Sequence, residues 1–460
     1  MMMDWDKMAK AKEAELISDL KGIIAIPSLL DEDDAKAGAP FGTKVREALD
    51  YMLDLGRRDG FKVTDVDGYA GIIEYGEGEE IVGILGHLDV VPPGDGWHYD
   101  PWKVVEREGY LFGRGTMDDK GPTLAAYTAL RILKEHGFKP SKKIYLIVGC
   151  DEESGMRCMR YYRDHAPIPS IGFTPDSDFP VIYGEKGGLG LLLSGEKPSV
   201  IEELNAGERP NVVIGQASVL VDAPLKKQLF DFYLSANRLS GSSEAKGDKS
   251  CYSITGRSAH ASTPYLGVNA AWHLLNFVGS AYDDEVAKGY AAALNDWRGS
   301  GLDIDVNGMH MGFLTMNLGI IRFAKNKQEA ILDIRFPNDV TGEELVKRAQ
   351  AAVKKAGWPF VVEAKRIGKP LFVDPSGPLV STLIEIYRKH TGDTFSPPLT
   401  MGGGTYAKVF DNFVAFGPEF TNRPVPEFVG VIHGPDEAAR IQDLLDACAI
   451  YGEAIEQLSK

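Results

Sequence analysis

Three short apolar runs in the first third of the chain, residues 81–85, 144–148 and 171–173, each lead straight into a polar cluster. Runs this short read as strands covered on both faces rather than as helices. Helix-periodic stretches alternate with them. Val45, Ala48, Leu49, Met52, Leu53 and Gly56 recur at helical spacing before a stop at Gly60, and residues 124–136 repeat the pattern between Pro122 and Gly137. Alternating strands and helices require crossovers, so this region is expected to be α/β, with a doubly wound, mostly parallel sheet. At 460 residues the chain is too long for a single core and should hold two or three domains.

From about residue 184 the pattern changes. Segments 319–325 and 330–336 flank Asn326-Lys327 and predict a hairpin. A helix is expected over 342–356 and a strand over 360–364, the profile of an inserted α+β domain with an antiparallel sheet. After residue 370 the α/β pattern returns, with a helix over 379–389, a glycine loop, a strand over 413–416 and a last helix over 438–458. The expected boundaries are therefore 1–183 and 370–460 for one domain interrupted by 184–369.

The charge balance of 50 basic against 66 acidic residues, net −16, disfavours nucleic acid and anionic membranes as partners. No apolar run reaches the 18 or so residues of a spanning helix, and the first 20 residues lack a signal-peptide core. Cys150, Cys158, Cys251 and Cys448 form neither a disulfide framework nor a zinc ribbon, which points to a reducing cytoplasm.

Five clusters could carry chemistry. Gly86-His87-Leu88-Asp89 follows the first run, where open α/β sheets place ligands, and the Asp89 carboxylate could hold the far nitrogen of His87. Otherwise His87 is a loop histidine beside a turn-forming Asp. Asp118-Asp119 precede a helix and could bridge two cations or simply cap it. The phosphate-loop spacing is absent there. Asp151-Glu152-Glu153 repel one another unless a cation or proton compensates them, or else form an acidic solvated helix start. Asp176 follows the third run, and His433 lies near the C-terminus. Strand ends converge in a doubly wound sheet, and two His with several carboxylates and no thiolate suit a pair of divalent ions such as Zn, Mn or Co. Such pairs share a carboxylate and activate a water.

The stretches GHLDVVPPGDGW, GRGTMDDKGP and DEESG, in that order, resemble the co-catalytic metallopeptidases and deacylases that include acetylornithine deacetylase, succinyl-diaminopimelate desuccinylase and carnosinase, and most closely the PepV-type bacterial dipeptidases. The resemblance implies His87 and Asp176 on one metal, Glu153 and His433 on the other, and Asp118 bridging. It makes Glu152 the general base, with Asp89 orienting His87. It makes the insertion a lid whose His260, in Gly256-Arg257-Ser258-Ala259-His260, donates to the scissile carbonyl. Asn211 stands where relatives use an Asn for the same carbonyl, though without their usual following Pro. Arg335 and the Gly402-Gly403-Gly404 loop would hold the substrate's terminal carboxylate. A turn histidine, a structural ion pair and a flexible turn are the plain readings of His260, Arg335 and the glycines.

The implied activity is a cytoplasmic, monomeric di-metal dipeptidase acting on unblocked dipeptides, β-alanyl or Xaa-His dipeptides among them. The alternative on the same metals is an N-acyl amino-acid deacylase or desuccinylase. A two-metal phosphohydrolase would need cationic clamps, for which only Arg114 and Lys120 offer themselves.

Overall fold

The 81–85 run lies within a strand, Ile81–His87, every residue of which is buried. The computed structural model describes residues 3–460, and the chain divides into two compact units. The first comprises Met1–Tyr183, Val373–Leu399 and Gly404–Lys460; the second comprises Gly184–Phe372 and Thr400–Gly403.

In the first unit Ile81–His87 is the hinge of the topology. Lys143–Gly149 pairs with it in parallel on one side and Ile171–Thr174 on the other. Phe413–Ala415 extends the parallel set beyond Ile171–Thr174. Lys62–Val66 and Ala70–Tyr75 form an antiparallel border next to Lys143–Gly149. The chain thus leaves Ile81–His87 for one neighbour and then returns to the opposite side. A crevice opens at such a reversal, outside the carboxyl ends of the strands. The α/β architecture with a doubly wound sheet is what the alternation of runs predicted, and the sheet is parallel through these central strands and antiparallel towards its borders.

Helix Lys120–Glu135 packs on Ile81–His87 and on the last helix, Ile441–Leu458. It is buried on all sides from Lys120 to Leu133, so it reads as apolar around most of its circumference. Lys120 and Arg131 are the charged exceptions, and the Lys120 ammonium must be compensated in the interior. Its Nζ donates to the carbonyls of Ile26 at 2.8 Å and Ile23 at 3.2 Å, and burial pulls its pKa down to about 7.

The last helix starts later than its periodicity predicts. Residues Ala438–Arg440 instead form a short strand antiparallel to Tyr110–Phe112, a partner more than 300 residues away that a local pattern does not register. The strand at 81–87 likewise runs two residues past its apolar stretch, which makes His87 its last residue.

The second unit holds an eight-stranded sheet. All its pairings are antiparallel, including the hairpin of Thr315–Ala324 with Lys327–Phe336. The hairpin turn falls at Lys325-Asn326, one residue earlier than expected, because Ala324 faces Lys327. Side chains alternate across the sheet: Leu332, Ile334 and Phe336 join one apolar core with Leu274, Leu275 and Phe277 of helix Ala270–Tyr282. Asp333 and Arg335 therefore lie on the other face.

Candidate active site

Three carboxyl ends of parallel strands deliver side chains to one place in the first unit. Ile81–His87 ends on His87, Lys143–Gly149 leads into Asp151-Glu152-Glu153, and Ile171–Thr174 leads into Asp176. The loop before helix Lys120–Glu135 adds Asp118, and the segment before the last helix adds His433.

Asp118 lies between the two histidines. Its Oδ1 is 2.8 Å from His87 Nε2, and its Oδ2 is 2.8 Å from His433 Nε2. His433 Nε2 also lies 3.1 Å from Glu153 Oε1, and His87 Nε2 lies 3.9 Å from Asp176 Oδ2. Glu152, His87 and Asp176 offer donor atoms all within 4.8 Å of one another, as do His87, Asp118 and Glu153. The peptide between Asp118 and Asp119 is cis.

Charge is unbalanced here. Burial pushes the carboxyls of Glu152, Asp176 and Asp119 well above the usual range, and neighbouring carboxylates, Asp118 among them, add to the push. Asp118 goes the other way: burial alone would raise it, but hydrogen bonds to His433 and His87 hold it low. Burial would depress both histidines, but Asp118 raises each of them, joined by Glu153 at His433, which goes up to about 10, and by Asp176 and Asp119 at His87, which goes well above its ordinary value.

One sequence expectation is corrected. The Asp89 carboxylate was expected to bond the far nitrogen of His87. Instead, His87 Nδ1 lies 2.9 Å from the Asp89 backbone carbonyl, with the carboxylate at 3.7 Å. The carboxylate is occupied elsewhere, accepting from the N–H groups of Glu152 at 3.0 Å and Glu153 at 3.1 Å. It anchors the acidic turn, and unpaired N–H groups at a buried strand end are a stronger claim on it than a ring already served by a carbonyl.

Sequence reading passed over Asp119. Its Oδ2 accepts from the His87 backbone N–H at 3.0 Å and from Thr123 Oγ1 at 2.9 Å, and its Oδ1 is buried without a hydrogen-bond partner. Tyr406 was also missed. Its ring stands edge-on to that of His87, with centroids 6.2 Å apart.

The second unit gathers the remaining candidates. The segment around Val212 pairs with that around His260: Ala261 N donates to Asn211 O and Val213 N to Ala259 O, both at 2.9 Å. Asn211 and His260 are thereby neighbours. The Ser262 N–H lies 3.2 Å from His260 Nδ1. A backbone N–H can only donate, so Nδ1 is the acceptor and a neutral ring carries its proton on Nε2. Arg335 forms a fork with Asp333, Nε to Oδ1 at 2.6 Å and Nη2 to Oδ2 at 3.0 Å, while Nη1 donates to Gly402 O at 3.3 Å. The ion pair that was the plain reading of Arg335 is therefore present. Asn211, Asp333, Arg335 and Arg366 line a cavity of about 300 Å³. Gly402 packs so closely on Ser262 that a Cβ there would stand 2.8 Å from the serine Cβ. Gly403 belongs to this unit as well, whereas Gly404 belongs to the first.

The model of peptidase family M20/M25/M40 matches residues 83–457. The chain belongs to that family. It is a hydrolase, and the resemblance drawn from the three motif stretches is to the right group of enzymes. A Staphylococcus epidermidis protein named "Putative dipeptidase" is 37% identical over 472 residues, covering 99% of both chains. "Putative dipeptidase YtjP" of Bacillus subtilis is 36% identical over 474 residues, covering all of both. The crystal structure of human carnosine dipeptidase 1 shares the fold at a TM-score of 0.57 and 15% identity, covering 99% of this chain and 98% of that one. Among the described residues of this family member, no helix is long and apolar enough to cross a membrane.

Proposed function

We propose that the chain is a di-metal dipeptidase that hydrolyses unblocked dipeptides. The observation that carries this reading is the Asp118 carboxylate, one oxygen turned to each of two histidines, with Glu152, Glu153 and Asp176 gathered about the same imidazoles. That donor set, with imidazole and carboxylate but no thiolate, fits two borderline-hard divalent ions such as Zn, Mn or Co. His87 and Asp176 would hold one ion, Glu153 and His433 the other, with Asp118 shared. When bound, such a pair supplies a Lewis acid for the peptide carbonyl and makes a water acidic near neutral pH.

The chain's own groups do the rest. Glu152 takes the proton of the attacking water on a carboxylate oxygen and hands it to the leaving amine nitrogen. His260 donates Nε2–H to the developing oxyanion, with its tautomer set by the Ser262 N–H. Asp333 fixes the plane of Arg335, which binds the terminal carboxylate of the substrate, aided by backbone N–H groups of the 402–404 loop. Asn211 contributes to the carbonyl site.

The phosphohydrolase alternative loses its clamps: Arg114 and Lys120 are both buried, and they are committed to Glu437 and to main-chain carbonyls. On this reading His260 comes from the same chain, so the monomer should be active: sedimentation should find one chain per particle, and turnover per chain should not change on dilution.

Metal-stripped protein, restored with Mn, Zn or Co one at a time, should hydrolyse ordinary dipeptides far faster than tripeptides or N-succinyl-diaminopimelate. A β-alanyl dipeptide in the same panel tests acceptance of that class. Preference for the succinylated substrate would make the chain a deacylase. Glu152→Ala should retain both ions and lose about 10²–10⁴-fold in kcat. Full activity in that variant would remove the mechanism.

A further inference from the structure

A buried ion pair ties the segment bearing His433 to the loop bearing Asp118. Arg114 and Glu437 side chains are each 1% exposed, and Arg114 Nη1 donates to Glu437 Oε2. The other carboxylate oxygen accepts from three successive parts of the Asp118 loop: the N–H groups of Gly115 at 2.9 Å, Met117 at 3.1 Å and Asp118 itself at 3.4 Å. The main chain joins in, with Gly113 N donating to Glu437 O at 3.0 Å. Arg114 reaches back the other way. Its Nη2 donates to Gly434 O, the residue after His433, at 3.2 Å and to Pro93 O at 3.3 Å. Its guanidinium also sits 5.3 Å from the centre of the Trp97 ring.

Two further features show that this segment is held rather than relaxed. His433 has φ +64°, in the left-handed region that a non-glycine residue keeps only when its surroundings over-determine it. Asp436, beside Glu437, accepts from the backbone N–H of His98 at 2.8 Å, which pins the segment to the 93–98 loop as well. A buried ion pair is a poor device for stability, since apolar residues of similar volume often do as well. It is a good device for fixing the relative placement of two loops. Neither residue touches the histidines or Glu153 directly, so any effect they have on those groups passes through the loops they hold.

We propose that Arg114 and Glu437 are positioning residues that set His433 against Asp118 and thereby tune the affinity of the ion these two would share. The proposal rests on the di-metal reading. Metal-free wild type, Glu437→Gln, Glu437→Ala, Arg114→Lys and Arg114→Ala would be titrated with Co²⁺, following the visible absorption of the bound ion and competition with a chelator. Melting of each metal-free protein would be recorded alongside. Breaking the pair should weaken one of two Co²⁺ sites by about 10–100-fold, the range seen when an outer partner of a metal ligand is lost. It should also change the visible band of that site. Glu437→Gln keeps an acceptor for the three N–H groups and should weaken it less than Glu437→Ala.

Co²⁺ affinities and spectra equal to wild type, with only the melting temperature lowered, would overturn the proposal and leave the pair structural. If the alanine variants fail to fold, the near-isosteric Glu437→Gln and Arg114→Lys decide the matter on the same criterion. Fewer than two Co²⁺ ions on the wild type would bring down the di-metal reading itself, and this inference with it, before any variant is measured.

Discussion

The two units place their functional side chains by different means. In the first, topology does it: three parallel strands end side by side, and their carboxyl ends carry His87, the 151–153 acids and Asp176 into the interior. In the second, local backbone pairing does it: the segment at Asn211 runs beside that at His260, and Arg335 projects from a sheet face with Asp333 as its partner. The histidines differ accordingly. His87 is 1% exposed and held among carboxylates, whereas His260 is exposed and has Nδ1 engaged by Ser262. Burial among carboxylates creates a demand for cations; an exposed ring with a fixed tautomer can donate one proton without needing any. The first unit is therefore expected to govern metal retention and the second to govern turnover, and each variant below bears on that division.

Asp118→Ala carries the largest expected effect. It removes the carboxylate that lies 2.8 Å from both His87 and His433, so metal should be lost on dialysis and turnover should fall to that of the metal-stripped protein. Elemental analysis and dipeptide hydrolysis measure the two. Retention of two ions per chain would mean that the histidines and remaining acids hold them without a bridge.

His260→Ala should do the converse. Loss of one oxyanion donor costs about 10²–10³ in kcat, while metal content and affinity stay at wild-type values. A metal deficit in this variant would erase the proposed division between the units. Ser262→Ala sharpens the point less, because the backbone N–H of residue 262 still sets the tautomer.

Much of this arrangement could be read from local pattern, for a physical reason. A buried strand must be apolar and short, so the residue following the run is marked as a strand end without knowledge of its neighbours. That argument located His87, Glu152, Glu153 and Asp176, and a doubly wound sheet brings such ends together. What escaped reading depended on partners far off in sequence. The Asp89 carboxylate bonds N–H groups more than 60 residues on, and the Arg114–Glu437 pair spans 323 positions. Ala438–Arg440 was read as helix because its strand partner lies at Tyr110–Phe112. Asp119 was set aside in favour of Asp118, yet it is the residue that holds the His87 main chain.

Proton linkage gives the next effect in size. Hydrogen bonds to Asp118 and Glu153, acting against burial, raise His433 to about 10, so the metal-free protein is expected to carry a proton there at pH 7. In that state the raised pKa contributes stability that is fully present below the ordinary value of 6.5 and lost as the pH climbs toward about 10. An incoming cation needs the neutral imidazole, so uptake must expel the proton. Affinity should then rise with pH over that window, by about tenfold per unit for each proton released. Calorimetry at pH 7 in buffers of different ionisation enthalpy counts those protons. A count of zero would mean that the carboxylates do not hold the histidines charged.

The smallest effect concerns what lets His87 reach its place. A Cβ at Gly86 would lie 1.9 Å from Thr123 Oγ1, on the helix that packs against the strand. That hydroxyl donates to Asp119 Oδ2, which in turn accepts from the His87 N–H. Gly86→Ala should therefore force Thr123 out of its rotamer and break this short relay, at a cost of about 1–3 kcal/mol. Thr123→Ala alone loses one hydrogen bond, about 1 kcal/mol, and removes the shortest contact of the new methyl group, leaving the Cβ of residue 123 at 3.0 Å. The double variant should melt higher than the sum of the single losses allows, with a coupling of about 0.5 kcal/mol or more. Strict additivity in calorimetric melts of the metal-free proteins would mean that the strand moves away from the helix instead, and His87 with it. Metal affinity would then fall in Gly86→Ala whether or not Thr123 is present. That result would show that the first unit fixes its histidine by the packing of strand on helix and not by the hydrogen bonds around it.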